Sequence, residues 1–158
     1  MANWEQFCAL APELAAEVRA RFEAHRHKTM ATVRADGSPR ICGTEVELRG
    51  GEVYLGGMSG NRRFADLRRD PRVALHSGSD DPPTWSGDAK LSGRAVEITA
   101  PEALEAFRDE AVEVPPGPFE LFRVELTEAS VVRLAEGGDH LLIDLWQEGQ
   151  PVRTVVRR

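Results

Sequence analysis

The chain has 158 residues, 41% of them hydrophobic and 29% charged, with 14 glycines and 10 prolines. That is the profile of one globular domain and excludes a disordered or fibrous chain. Lysine and arginine total 20 against 26 aspartates and glutamates, a formal net charge of -6, which argues against nucleic-acid and anionic-membrane partners because both are held by a basic surface.

Taken in chain order, Trp4 to His27 reads as one N-terminal helix, with Leu10, Leu14, Val18 and Phe22 recurring every four residues. Strand patterns follow from Thr29 to Arg34 and from Pro39 to Leu48. They are separated by Asp36-Gly37, a dipeptide that favours a tight hairpin turn. A further strand begins at Glu52, and Asn61 to Arg69 is a short helix stopped by Pro71. Arg72 to Ser77 and Asp88 to Thr99 read as strands, the second interrupted by Gly93. Pro101 opens a helix to about Val112 with Leu104 and Phe107 inward, and Pro115 to Pro118 forms a stiff connector. Phe119 to Leu126, Ala129 to Leu134, His140 to Trp146 and Val152 to Val156 complete the strands. The expected fold is mainly β with α (α+β). Short strands joined by tight turns favour antiparallel pairing in a closed or partly closed barrel.

The segment richest in chemistry is Gly56-Gly57-Met58-Ser59-Gly60-Asn61-Arg62-Arg63, where a strand ends in a glycine loop and a helix begins with two arginines. Free N–H groups at a helix start and forked guanidinium donors suit a phosphate. The competing reading is a solvated basic face, with Arg62, Arg63, Arg68 and Arg69 partnered by Asp66 and Asp70. Leu55 breaks a G-x-G-x-x-G pattern, so a dinucleotide fingerprint is excluded. His25 and His27 fit a helix C-terminus better than a metal site, and Trp146 and Trp85 fit packing better than ligand stacking. Cys8 and Cys42 have neither CxxC nor Cys/His spacing, so no metal site or disulfide framework is expected. Glu5, Glu13 and Glu17 break any export-signal core. A cytoplasmic protein is expected.

The run Met30-Ala31-Thr32-Val33-Arg34-Ala35-Asp36-Gly37-Ser38-Pro39, the block SGNRRFADLRRDPRVAL from Ser59 to Leu75, and GDAKLSGRAVEI resemble the pyridoxamine 5'-phosphate oxidase-like family of flavin-binding split β-barrels. The resemblance runs from about Lys28 to the end. It implies an antiparallel split β-barrel with an N-terminal helix and two short peripheral helices. It also implies a homodimer with the cofactor at the subunit interface, acting on a small-molecule substrate. By motif position it assigns Arg62 and Arg63 to the FMN phosphate, with Arg40 on the second strand. Gly57 and Met58 would make loop contacts, and Asp88 stands where the oxidase has a flavin-contacting glutamine. Glu45 stands where the oxidase has a second basic residue, Arg63 replaces a lysine, and the C-terminal arginine motif has no counterpart, which argues against vitamin B6 oxidation. The expected activity is FMN-dependent oxidoreduction. Related groups imply two alternatives: a deazaflavin coenzyme in a reductase, or a non-catalytic flavin- or haem-binding module.

Overall fold

A computed structural model of the chain describes residues 1–110, 114 and 116–158. The expected single N-terminal helix over residues 1–27 is instead two helices, α1 (Trp4–Leu10) and α2 (Pro12–Glu23). Asn3 and Gln6 form a reciprocal capping box at the start of α1. The break falls at Ala11, non-helical at φ -141° and ψ 64°, because the ring of Pro12 disfavours a helical conformation in the residue before it. Leu14, Val18 and Phe22 are buried as their spacing predicts, whereas Leu10, on the far side of the break, is 66% exposed. His25 and His27 lie beyond the end of α2; His25 Nε2 pairs instead with Asp80 at 2.9 Å.

The remaining elements are β1 (Lys28–Val33), β2 (Pro39–Thr44), β3 (Val46–Arg49), β4 (Glu52–Met58), α3 (Arg62–Arg69), β5 (Arg72–His76), β6 (Asp88–Ile98), α4 (Pro101–Glu110), β7 (Phe119–Leu134), β8 (Leu141–Gln147) and β9 (Arg153–Arg157). The proposed helix end at Val112 and connector start at Pro115 lie outside the described residues. No helix among the described residues is long and apolar enough to cross a membrane.

All the strand pairings are antiparallel, and the main path runs β2-β1-β5-β6-β7-β4-β3, with the β8–β9 hairpin added to β7. The path starts at β2 and ends at β3. These two strands are neighbours in sequence, joined through Glu45, so the chain itself spans the seam that hydrogen bonds leave open. The architecture is that of an α+β split barrel. The expected continuous strand from Pro39 to Leu48 is divided at this seam, because its first half pairs with β1 and its second with β4.

β7 corrects another expectation. Phe119 to Leu126 and Ala129 to Leu134 are one strand, not two, because β6 pairs along nearly all of it from Leu121 to Val132. Its other edge changes partner, from β4 at Phe119 to Arg123 to β8 at Glu128 to Leu134. The bend between the halves is a β-bulge: Ser92 faces Glu128 and Gly93 faces Leu126, leaving Thr127 as the extra residue. At Gly93 an added Cβ would stand 2.1 Å from the Glu125 carbonyl oxygen, so the close approach of β6 and β7 needs a residue without one.

The core lies between the inner face of the sheet and the N-terminal helices. Phe7 packs against Trp4 and Trp146 with ring centroids 5.5 and 5.0 Å apart, and Phe64 of α3 stacks on Phe122 of β7 at 5.2 Å. The Phe64 contact fixes α3 against β7.

Candidate functional site

β4 ends in Gly56, Gly57 and Met58, and α3 starts four residues later with Asn61 as its N-cap. The Asn61 side chain makes no cap hydrogen bond to the helix and donates instead to the Met58 carbonyl at 2.9 Å. The first turn of α3 thus presents its N–H groups without a side-chain cap. Consecutive helical residues point about 100° apart, and this separates the two arginines that the sequence groups together. Arg63 lines one cavity, and Arg62 lines another cleft on the opposite flank of the same turn.

The Arg63 cavity has a volume of about 340 Å³ and lies at the open seam, within the range of small-molecule sites. Gly56, Gly57 and Met58 of β4 and Gly43 to Glu45 of the seam line it, and Tyr54, Phe107 and Phe119 add an aromatic wall. Tyr54 and Phe107 meet edge to face at 5.2 Å, and Phe107 stacks on Phe119 at 6.0 Å. Arg49 holds α4 over this wall: Nη2 donates to the Phe107 carbonyl at 2.9 Å, and the guanidinium lies 4.2 Å from the Phe107 ring. Arg63 Nη1 donates to the Gly43 carbonyl at 2.8 Å, while its buried Nε has no partner among the described residues. A Cβ on Gly57 would come 2.7 Å from Arg63 Nη2 and 3.2 Å from Phe64, so glycine there lets Arg63 lie across the cavity floor. Met58 is 64% exposed at the mouth.

The second cleft is lined by Arg34, Arg40, Arg62 and Arg69 together with Asp36 and Asp66. Asp66 is 3% exposed. It accepts from Arg40 Nε at 2.6 Å, Thr32 Oγ1 at 2.7 Å and Arg69 Nη2 at 2.9 Å. Burial alone would raise its pKa; the hydrogen bonds from Arg40, Thr32 and Arg69 outweigh that and hold it at about 2. The same contact with Asp66 raises the pKa of Arg40. Arg62 is exposed and makes no ion pair or hydrogen bond among the described residues.

The depressed Asp66 pKa has a signed consequence. Its folded value lies below the ordinary 3.8, so its contribution is complete above pH about 4 and is lost as the pH falls toward 2. Asp66→Asn is expected to remove about 2 kcal/mol of this acid-sensitive stability. Urea unfolding at about pH 5 and about pH 2.5 checks this: the wild-type loss between the two should shrink in the variant.

Of the residues singled out in the sequence, Gly57, Met58 and Arg63 share the cavity, and Arg40 and Arg62 share the cleft. Asp88 lines neither. It opens β6, opposite Val132, with a buried Oδ1 that has no partner among the described residues. The solvated-face reading expected Asp66 and Asp70 as partners of the helix arginines; Asp66 does pair with Arg69 but is buried, Asp70 pairs with Arg72, and Arg68 pairs with Glu97 and Glu120 of β6 and β7. The sequence reading did not single out Arg34, the Tyr54–Phe107–Phe119 wall or the central place of Asp66. For Asp66 a signal existed, since it is the one acid among the four arginines of that helix.

A sequence-family model described as pyridoxamine 5'-phosphate oxidase matches residues 14–133. Comparison with curated proteins finds no match. Among solved structures, Campylobacter jejuni ChuZ is similar with a TM-score of 0.69 at 16% identity, over 91% of this chain and 63% of that one. A pyridoxamine 5'-phosphate oxidase-related, FMN binding protein from Nostoc punctiforme gives 0.61 at 13% identity, over 100% and 98%. A protein of Mesorhizobium loti described as FAD-binding gives 0.60 at 22% identity, over 74% and 92%. At these identities the structural likeness concerns the fold.

Proposed function

The chain belongs to the pyridoxamine 5'-phosphate oxidase family, and from that membership we propose that it is an FMN-dependent oxidoreductase acting on a small molecule. The observation that carries this reading is the pair of spaces flanking the first turn of α3: a glycine-floored, aromatic-walled cavity on one side and an arginine cleft on the other. A planar ring ending in a phosphate needs both kinds of surface. The residues fit such a group: Gly57 has no Cβ to crowd Arg63 where it lies across the floor, and the buried Arg63 Nε is a donor with no acceptor among the described residues.

When bound, the flavin ring supplies the hydride chemistry. The chain binds and orients it. Gly57 and Met58 border the ring, Arg63 donates from the cavity floor, and Arg62 with Arg40 holds the phosphate. Glu45 and Glu47 line the cavity on the seam side, which favours a substrate without a phosphate of its own.

The reading includes a homodimer. The outer face of β2, β1 and β5 sets Ile41 opposite Ala31 and Ala31 opposite Ala74, and Ile41 is 74% exposed. This exposed apolar row suits a flat contact with a second copy. Across such a contact Asp88 would serve a cofactor held by the partner subunit. Titration of the apoprotein with FMN, a deazaflavin coenzyme and haem, each followed by its absorption change, tests the cofactor. Saturable binding with FMN tightest is expected. Preference for the deazaflavin coenzyme or haem would replace this reading with a deazaflavin-dependent reductase or a haem-binding module.

A further inference from the structure

We infer that the cleft beside α3 is a preset cradle for a phosphate monoester, in which Arg34 and Arg69 are further anion ligands and Asp66 is the positioning residue. The inference rests on the flavin reading of the same site and extends it to three residues with no assigned role.

The first argument is charge. Four guanidinium groups and two carboxylates line the cleft, a local excess of +2 within a chain of net charge -6. A phosphate monoester carries about -2 near neutral pH. Asp36 is hydrogen-bonded through Oδ1 to the Ser38 N–H at 2.9 Å and the Ser38 hydroxyl at 2.5 Å, and it forms no direct ion pair with Arg34 among the described residues.

The second argument is order. Asp66 fixes Arg40 through Nε alone and Arg69 through Nη2 alone, and that Nη2 also donates to the Val33 carbonyl at 2.7 Å. Both terminal nitrogens of Arg40, and Nε and Nη1 of Arg69, make no hydrogen bond among the described residues. Two guanidiniums are thus immobilised by a buried carboxylate while keeping donors for something else. Immobilised donors give up less side-chain entropy when an anion arrives. Arg34, in the turn between β1 and β2, and Arg62, at the start of α3, add two cations from opposite sides, neither in an ion pair among the described residues.

The test compares FMN with riboflavin, which differs only in lacking the phosphate, and uses inorganic phosphate as an independent probe. Wild type is expected to bind FMN at least a hundredfold more tightly than riboflavin. Arg34→Ala and Arg69→Ala should each weaken FMN about tenfold and leave riboflavin unchanged. Asp66→Asn should lower the FMN-to-riboflavin affinity ratio by a similar factor, a change that general loosening of the fold would not produce. Arg34 is exposed and makes no side-chain hydrogen bond or ion pair among the described residues, so Arg34→Ala keeps the test valid if Asp66→Asn fails to fold. FMN affinity unchanged in Arg34→Ala, or equal losses for both flavins in Asp66→Asn, overturns the proposal. If wild type binds neither flavin, the flavin reading fails and phosphate alone decides the cradle. Saturable shifts of arginine Nε–H resonances, lost in Arg34→Ala, then support it, and their absence throughout the millimolar range overturns it.

Discussion

The double substitution Arg62→Ala with Arg63→Ala is expected to weaken FMN binding by about a hundred- to a thousandfold. The two side chains leave the same helical turn on opposite flanks, so one variant strips a donor from the cavity and a free cation from the cleft. Each charged hydrogen bond lost costs about 1.5–3 kcal/mol. Fold stability should change little: Arg62 touches no partner among the described residues, and Arg63 contributes a hydrogen bond to Gly43 and a contact of its guanidinium with the Phe64 ring at 4.8 Å. Quenching of flavin fluorescence gives the affinity, and thermal unfolding gives the control. A folded double variant with wild-type FMN affinity contradicts the assignment of both arginines.

Gly93→Ala is expected to destabilise the barrel by about 3 kcal/mol, at the upper end of what overpacking costs. The clash is with the Glu125 carbonyl oxygen at 2.1 Å and its carbon at 2.9 Å. Backbone atoms have no alternative rotamer, so β6 or β7 must move. The bend of β7 at Thr127 lets one strand serve β4 in its first half and β8 in its second. Displacing it disturbs the floor beside Phe119 as well as the core. Since a domain is stable by only about 5–15 kcal/mol, the loss is readily measured by urea unfolding. A midpoint equal to wild type would show that the bulge accepts a methyl group.

Much of the fold is legible because its signals are local. Asp36-Gly37 marks the β1–β2 hairpin, and Asn61 and Pro71 bracket α3. Alternation along β6 places Ala89 and Leu91 in the core. What the sequence does not display depends on partners far along the chain. Thr127-Glu128 reads as a break because both residues are polar, yet β6 pairs across them and turns the apparent break into a bulge. Leu10 keeps the helical spacing but loses its burial once Pro12 resets the helix axis.

The site divides in the same way. The glycine loop and the arginines after it stand out in sequence as an anion-binding pattern. Their separation onto two flanks follows from helix geometry and from the stacking of Phe64 on Phe122, which sets how α3 is rotated. The carboxylate of Asp66 organises Arg40 from β2 and Arg69 from its own helix, a relation set by packing across 26 residues rather than by spacing. The aromatic wall is similarly remote, bringing Tyr54, Phe107 and Phe119 together from three elements.

The central claim is that one FMN molecule lies across the first turn of α3, its ring in the cavity and its phosphate in the cleft. A crystal structure of the protein saturated with FMN tests it most directly. The account predicts ring density against Gly57 and Met58 beside Arg63, and phosphate density within hydrogen-bond reach of Arg62 and Arg40. Flavin density away from α3, or a phosphate turned from the cleft toward Glu45 and Glu47, would contradict it.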